Sequence, residues 1–418
     1  MLLHSAISGA GAGARMCMAN QWSFGRPENE SENAAMARAL AQSFGFEEER
    51  ARRWMQSAGE DTHRVLRRGG RVAATLVLVD MGQFFGGHRV PMGGIAGVAV
   101  PPEERGAGAA LNLMIACLRE LRERGVPIST LYPATQTLYR RAGYEQAGSW
   151  FEITVPTAAI HVREKELEIR PATREDQSIL RDLYLRRTVH CDGMLDRGTY
   201  IWDRVWEFRG EKTLGFIVHR NGQAEGHVFY LQRRPAVWGR FDLQCTDLVA
   251  TTPAAARRIL SFLADHRSMA QNAIWFGGPT EPILAHLPER TFEVKLNFYW
   301  MIRIVDVAGA LSARGYPARM KETIRFEITD DVLPENSGRY VLRIEGGRGV
   351  VERDSASGGG AGRLRMDVRA LASLFSGFRS PAELILAGQM TTDDPQMAQA
   401  AGWAFASVGG GPAMCDMF

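Results

Sequence analysis

Val98-Ala99-Val100-Pro101-Pro102-Glu103-Glu104-Arg105-Gly106-Ala107-Gly108-Ala109-Ala110 is the stretch from which the rest of the chain can be read. A short apolar run, 95–100, predicts a strand. A glycine-rich turn follows, and then Leu111, Met114, Ile115, Leu118 and Leu121 recur on one face of a helix. The first turn of a helix presents backbone N–H groups without intrahelical partners and about half a positive charge. Such a terminus suits an anion of the pyrophosphate type. Gly106 and Gly108 let the backbone approach a ligand without a Cβ in the way, and Arg105 adds a cation. Glycines alone would mark any strand-to-helix turn; the spacing around them narrows the reading.

Working outward, three sections separate. In the first, Met36, Ala39, Leu40, Ser43 and Phe44 follow helical spacing, 72–79 and 89–92 read as strands about a Gly-rich turn, and 128–132 is a strand after Gly125-Val126-Pro127. The second opens on a strand at 167–170 and a helix start with Thr173 as N-cap. It continues with a hairpin about Asn221-Gly222, a strand at 247–250 and a helix over 253–266. Its element order repeats the first, which predicts a duplicated fold without a duplicated motif. The third has strands at 324–328, 338–344 and 349–353, a Gly/Ser connection at 355–362, and helices at 367–375 and 395–401. Gly409, Gly410, Gly411 and Pro412 end regular structure and free the last six residues.

Arg105-x-x-Gly108-x-Ala110 matches the Q/R-x-x-G-x-G/A signature of the GNAT acetyltransferases, with Pro102, Val98 and Val100 where that family has them. The resemblance implies acetyl-coenzyme A as co-substrate. Its pantetheine arm would pair with the backbone of Val98, Ala99 and Val100, and its pyrophosphate would sit on Arg105, Gly106, Ala107, Gly108, Ala109 and Ala110. Tyr139-Arg140-Arg141-Ala142-Gly143-Tyr144 resembles the family's Y-x-x-x-G-Y/F segment. This implies Tyr139 as the general acid that protonates the departing thiolate, with Tyr144 in the core. The family often has a run of arginines before the loop glycine where this chain has Glu103-Glu104-Arg105, so phosphate binding would rest more on amides than on side chains.

A closer resemblance covers almost the whole chain. The segment 85–94, Trp300-Met301-Ile302-Arg303-Ile304-Val305-Asp306-Val307, Arg314-Gly315-Tyr316 and Leu371-Ala372-Ser373-Leu374-Phe375-Ser376-Gly377 are similar to the enhanced intracellular survival (Eis) family. That resemblance implies an α+β fold: two GNAT-type mixed-sheet domains followed by a sterol-carrier-like α/β domain. The expected boundaries are 1–21 for a disordered N-terminal extension, 22–160 for the active GNAT domain, 161–304 for a degenerate one, and 305–418 for the sterol-carrier-like domain. It implies primary-amine acceptors of aminoglycoside, polyamine or lysine type, and a hexamer. It also implies that the C-terminal carboxylate enters the first domain's active site as general base. Here that group belongs to Phe418, with Asp416 near it to favour a cation.

Composition sets limits. Hydrophobic residues are 45% and charged residues 23%, as in soluble domains, and 418 residues imply several cores. No run approaches the roughly 20 apolar residues of a membrane span, and the start is a poor signal peptide. Cys17, Cys117, Cys191, Cys245 and Cys415 are scattered, which argues against a disulfide framework and for a reducing, cytoplasmic setting. The histidines show no HxH or HExxH spacing, so no metal is expected. The net charge of +3 is dispersed, and Arg50, Arg52 and Arg53 alternate with Glu47, Glu48 and Glu49, so no nucleic-acid partner is expected. Two alternatives stay open: a lipid- or acyl-CoA-binding protein working through the sterol-carrier-like section with little turnover, and an acyl-CoA sensor.

Overall fold

The computed structural model describes residues 22–234, 239–354, 362–407 and 410–418. The predicted N-terminal extension, nearly all of the Gly/Ser connection, and Gly409 lie outside the described residues. Residues as far as Val77, together with Gly97–Leu113, form one compact unit; Leu78–Ala96 with Met114–Phe418 form another. The division passes within two strands and one helix.

In the first unit, strand β1 (Trp22–Gly25) leads to helix α1 (Glu30–Phe44). Asn29 caps that helix by accepting from Glu32 N–H, and Gly45 ends it at φ 68°, a left-handed conformation natural to glycine. Helix α2 (Glu48–Ala58) keeps its charges on the exposed side, as its alternating sequence predicts. Strands β1, β2 (His63–Arg68) and the start of β3 (Arg71–Phe85) pair antiparallel. The end of β4 (His88–Ala99) and the start of α3 (Ala109–Glu123) complete the unit. The two strands predicted at 89–92 and 95–100 are thus one. Gly93 and Gly94 do not interrupt it, because their missing Cβ atoms make room: a Cβ on Gly93 would lie 2.6 Å from Leu121, and one on Gly94 2.4 Å from Met81.

In the second unit, β4 pairs in parallel with β5 (Ile128–Leu131) over Met92–Ile95 only. Helix α4 (Gln136–Arg141) and β6 (Glu145–Pro156) follow. Next come β7 (Glu168–Pro171), α5 (Gln177–Thr188), β8 (Leu195–Asp196), α6 (Thr199–Trp206), β9 (Glu207–Phe208) and β10 (Glu211–Lys212). The chain continues through β11 (Leu214–Arg220), β12 (Gln223–Arg233), β13 (Phe241–Ala250), α7 (Pro253–Asp265), β14 (Ala270–Gly277) and β15 (Glu293–Ile304). The hairpin at Asn221-Gly222 has both residues at positive φ, 51° and 81°, the geometry that its sequence predicts.

The strand order β4-β5-β15-β6-β14-β13-β12-β11-β7 differs from two separate sheets. The last strand of the second section, β15, is inserted between β5 and β6 of the first. Gly148 opens space for it, since a Cβ there would meet the Trp300 ring at 2.3 Å. Arg303 on β15 is fully buried. It donates to Ala142 O, 3.0 Å away at the end of α4, and pairs with the equally buried Asp330 of the third section at 2.7 and 2.8 Å. Removing one partner of such a pair costs about 3–5 kcal/mol, so this arginine fastens three sections at once.

The third section has α8 (Val307–Ala313), β16 (Glu322–Thr329), β17 (Gly338–Glu345), β18 (Arg348–Arg353) and β19 (Leu364–Asp367), then α9 (Val368–Ser376), α10 (Pro381–Leu386), β20 (Met390–Thr391) and α11 (Pro395–Ala404). Its strands form a sheet in the order β18-β17-β16-β19-β20. Its interior is occupied by the buried Arg314 guanidinium, which lies over the rings of Tyr316, Phe375 and Phe405.

Candidate active site

The loop after β4 is built for close approach. Pro102–Glu104 makes one 3-10 turn, and Gly106 and Gly108 both stand at φ +81°. A Cβ at Gly106 would meet nothing within 4 Å, and one at Gly108 only Asn112 Nδ2 at 3.5 Å. The N–H groups of Gly106, Ala107 and Gly108 find no partner among the described residues. Free amides at an exposed turn ahead of α3 suit an anion of the pyrophosphate type. Arg105 is exposed and folds back, its Nε donating to Val100 O at 3.3 Å. Glu104 is buried against Arg68 rather than facing the loop, and Arg68 lies over the Trp22 ring. Val98 and Val100 are partly exposed at the end of the strand, and Ala99 is buried, as are Ala109 and the helix positions Leu113, Met114, Cys117, Leu118 and Leu121. The buried face of α3 therefore includes Leu113 and Cys117, while the predicted Leu111 and Ile115 remain half-buried.

Tyr139 lies on α4 with its ring edge-on to Tyr144, centroids 6.2 Å apart. Its hydroxyl has no hydrogen-bond partner among the described residues. Burial pushes its phenol up to about 12. Tyr144 is fully buried with its hydroxyl 2.8 Å from Ser129 Oγ, the core position its sequence predicts.

The chain terminus is docked in the second unit. Ser149 N–H donates to Pro412 O at 3.1 Å and Ala413 N–H to Asp192 O at 3.0 Å. Tyr132 donates to Met414 O at 2.6 Å, and burial raises its phenol well above the usual range. Phe418 is 9% exposed, its ring 6.2 Å from that of Tyr132 and pressed against Gly94, where a Cβ would come within 2.9 Å. No ion-pair partner of the terminal carboxylate occurs among the described residues. Asp416, expected to attract a cation, is already paired. Arg197 donates to both its oxygens, at 2.9 and 2.8 Å, and also to both oxygens of Asp247, at 2.8 and 3.0 Å. His227 lies 2.9 Å from Asp247, and the Arg197 guanidinium covers the Tyr184 ring at 3.9 Å. Arg204 donates to Met417 O. Tyr132, Arg197, Asp247 and Arg204 do not stand out as site residues in the sequence, because no motif joins residues so far apart in the chain.

The corresponding turn of the second section is closed. Thr252 caps α7 by accepting from Ala255 N–H at 3.1 Å, Pro253 supplies no N–H, and the Glu225 carboxylate bonds the Thr252 hydroxyl.

Known proteins share this architecture. The family model of the acetyltransferase (GNAT) domain matches residues 25–147, a second acetyltransferase (GNAT) domain model matches 193–304, and the sterol carrier protein domain matches 307–409. A crystal structure of a GCN5-related N-acetyltransferase from Anabaena variabilis is 32% identical, with a TM-score of 0.89 over 95% of this chain and 100% of that one. The chain belongs to the GCN5-related N-acetyltransferases. This N-acetyltransferase is also 26% identical over 361 residues to the N-acetyltransferase Eis of Mycobacterium tuberculosis, covering 81% of this chain and 84% of the relative. The fold is shared with Eis1 of Mycobacterium abscessus, 20% identical with a TM-score of 0.77 over 95% of this chain and 100% of that one. The acetyltransferase thus carries two GNAT domains and a sterol-carrier-like domain, transfers acetyl groups to amines, and uses the acetyl-CoA of its family. Among its described residues no group of three or more His, Cys, Asp or Glu side chains is placed to hold a metal, and no helix is long and apolar enough to cross a membrane.

Proposed function

We propose that the first GNAT domain, 22–160, performs direct acetyl transfer, with Tyr139 as general acid and the Phe418 terminal carboxylate as general base. In this reading 161–304 is a degenerate GNAT domain that binds no acetyl-CoA, and the third domain, 305–418, delivers the terminus. Val98, Ala99, Val100 and the loop 105–110 hold the co-substrate. The observation that carries the reading is the docked tail: Phe418 is buried beside Gly94 and Tyr132, and its carboxylate has no ion-pair partner among the described residues. The carboxylate takes a proton from the acceptor's ammonium. The amine nitrogen then bonds the acetyl carbon as the carbon–sulfur bond breaks, Tyr139 gives its phenolic proton to the leaving thiolate, the second proton shed by the nitrogen restores the phenol, and the carboxylic acid releases its proton to water. A free thiolate, whose conjugate thiol titrates near 8.5, would be too weak a base for a phenol at about 12. Burial raises thiol and phenol alike, as at Cys245, pushed up to about 12. The family resemblance supplies the acceptor class, primary amines of aminoglycoside, polyamine or lysine type, and also a hexamer, while the scattered cysteines favour a cytoplasmic setting.

The test uses two variants. Tyr139→Phe is expected to lower kcat about 10²-fold or more, typical for loss of acid catalysis, with acetyl-CoA affinity unchanged. A chain lacking Phe418, or one extended by a C-terminal tag, is expected to lose transfer while still binding acetyl-CoA. Full activity in a tagged protein would remove the terminus from the mechanism, and full activity in Tyr139→Phe would return the tyrosine to the core.

A further inference from the structure

Beside the docked tail lies a cavity of about 200 Å³ whose wall is formed by Met417 and Asp416 on one side and by Trp150, Phe208 and Phe276 on another. Trp150 links it to the terminus through rings: it stands 5.6 Å from Tyr132, which stands 6.2 Å from Phe418. The charge of this wall is cationic. Arg204, Arg209 and Arg233 all line it. Among the lining residues the carboxylate is Asp416, which accepts two hydrogen bonds from Arg197, a guanidinium it shares with Asp247. Arg233 pairs outward with Glu211, and Arg204 has no carboxylate partner among the described residues. The Arg204 guanidinium is held in place by the Met417 carbonyl and by the Tyr200 and Phe208 rings, with donors to spare.

A polycationic acceptor would be repelled here. A fixed, half-buried guanidinium one residue from the terminus is instead suited to a planar carboxylate. We infer that the preferred acceptor is a small primary amine that also bears a carboxylate, bound by Arg204 with its apolar part against Trp150, Phe208 and Phe276. The inference rests on the proposed role of Phe418 and narrows the acceptor class implied by the family resemblance.

The test compares amines with their α-carboxylated counterparts: cadaverine with lysine, phenethylamine with phenylalanine, and histamine with histidine. Thiol release from acetyl-CoA by the full, untagged chain is measured alongside an aminoglycoside polycation. The expected result is a kcat/KM at least about 10-fold higher for the carboxylated member of at least one pair, as a charged hydrogen bond would give. Arg204→Gln is expected to bring that ratio down to 3 or below, and Arg233→Gln, which leaves the tail untouched, to lower it less. Because both members of a pair use the same tail, the ratio is insensitive to any general disturbance of the terminus. A best ratio below 10 in the unmodified chain, faster turnover of the polycation, or a ratio above 3 in Arg204→Gln would overturn the inference while leaving Phe418 as base. A protein that binds acetyl-CoA but acetylates no amine would overturn the proposed transfer itself.

Discussion

Replacing Arg197 by methionine probes how the terminus is held. The guanidinium is nearly inaccessible, its side chain 2% exposed, and it serves two carboxylates, Asp247 at 5% and Asp416 at 11% exposure. Asp247 is held well below the usual carboxylate range: burial alone would raise it, but the charges of Arg197 and His227 outweigh burial. Methionine keeps an apolar side chain of similar length, removes the guanidinium that covers Tyr184, and leaves both acids without their cation. Breaking a buried pair in this way costs about 3–5 kcal/mol. The two acids relax differently. Asp247 lies on β13 and keeps His227; Asp416 escapes into water if the tail leaves. Most of the cost therefore falls on docking of residues 412–418. A loss of about 3 kcal/mol, at 1.36 kcal/mol per decade, lowers the docked fraction about 10²-fold if docking is marginal. Arg197→Met is expected to lose kcat by up to that factor with acetyl-CoA affinity unchanged. The amides of Ala413 and Met414, which bond Asp192 and Ser149, should exchange with solvent faster, and carboxypeptidase should remove Phe418. Asp416→Asn should have a smaller effect of the same kind, and the double variant should cost less than the sum of the two. Wild-type turnover with a protected tail in Arg197→Met would refute the anchoring role. A drop in Tm with unchanged turnover per folded molecule would make Arg197 a packing residue only.

Gly108→Val places a branched side chain at φ +81°, at a backbone cost of about 1–3 kcal/mol, and fills the open side of the loop. The chain should stay folded by circular dichroism while acetyl-CoA affinity in calorimetry falls about 10²-fold, some 2.7 kcal/mol; unchanged affinity would misplace the site. The self-capped, proline-started and carboxylate-guarded turn at α7 predicts one acetyl-CoA per chain, and a stoichiometry of two would contradict it. Because burial raises Tyr139 to about 12, the phenol remains protonated through the whole neutral and mildly alkaline range. Its stabilising contribution is complete below about pH 10 and is lost between about 10 and 12, since the unfolded phenol ionises first. Transfer rates should accordingly show no descending limb below about pH 10; a limb with a midpoint near 9 would exclude this tyrosine as the acid in this setting.

What the sequence determined by itself is local. The Arg105-x-x-Gly108-x-Ala110 spacing placed a glycine turn between a strand and a helix, because only glycine takes φ near +81° without cost. Asn221-Gly222 made a tight hairpin for the same reason, and Thr173, Thr252 and Asp367 mark helix starts because their side-chain oxygens accept from the first turn. Periodicity placed most strands and helices to within a few residues, yet it split β4 at Gly93-Gly94, where the missing side chains serve neighbours from elsewhere in the chain. Tertiary structure alone decided which partners those were. The insertion of β15 between β5 and β6 leaves no periodic signal, since its residues alternate as they would in any sheet. The Arg303–Asp330 pair and the Arg197 network join positions 27 to 219 residues apart, and an isolated arginine in a sequence carries no record of which carboxylate it will meet. Asp416 shows the consequence most directly: near the chain end it reads as a free anion for a cationic acceptor, and only the fold reveals that it is bound by Arg197, which it shares with Asp247, beside a cavity lined by three further arginines.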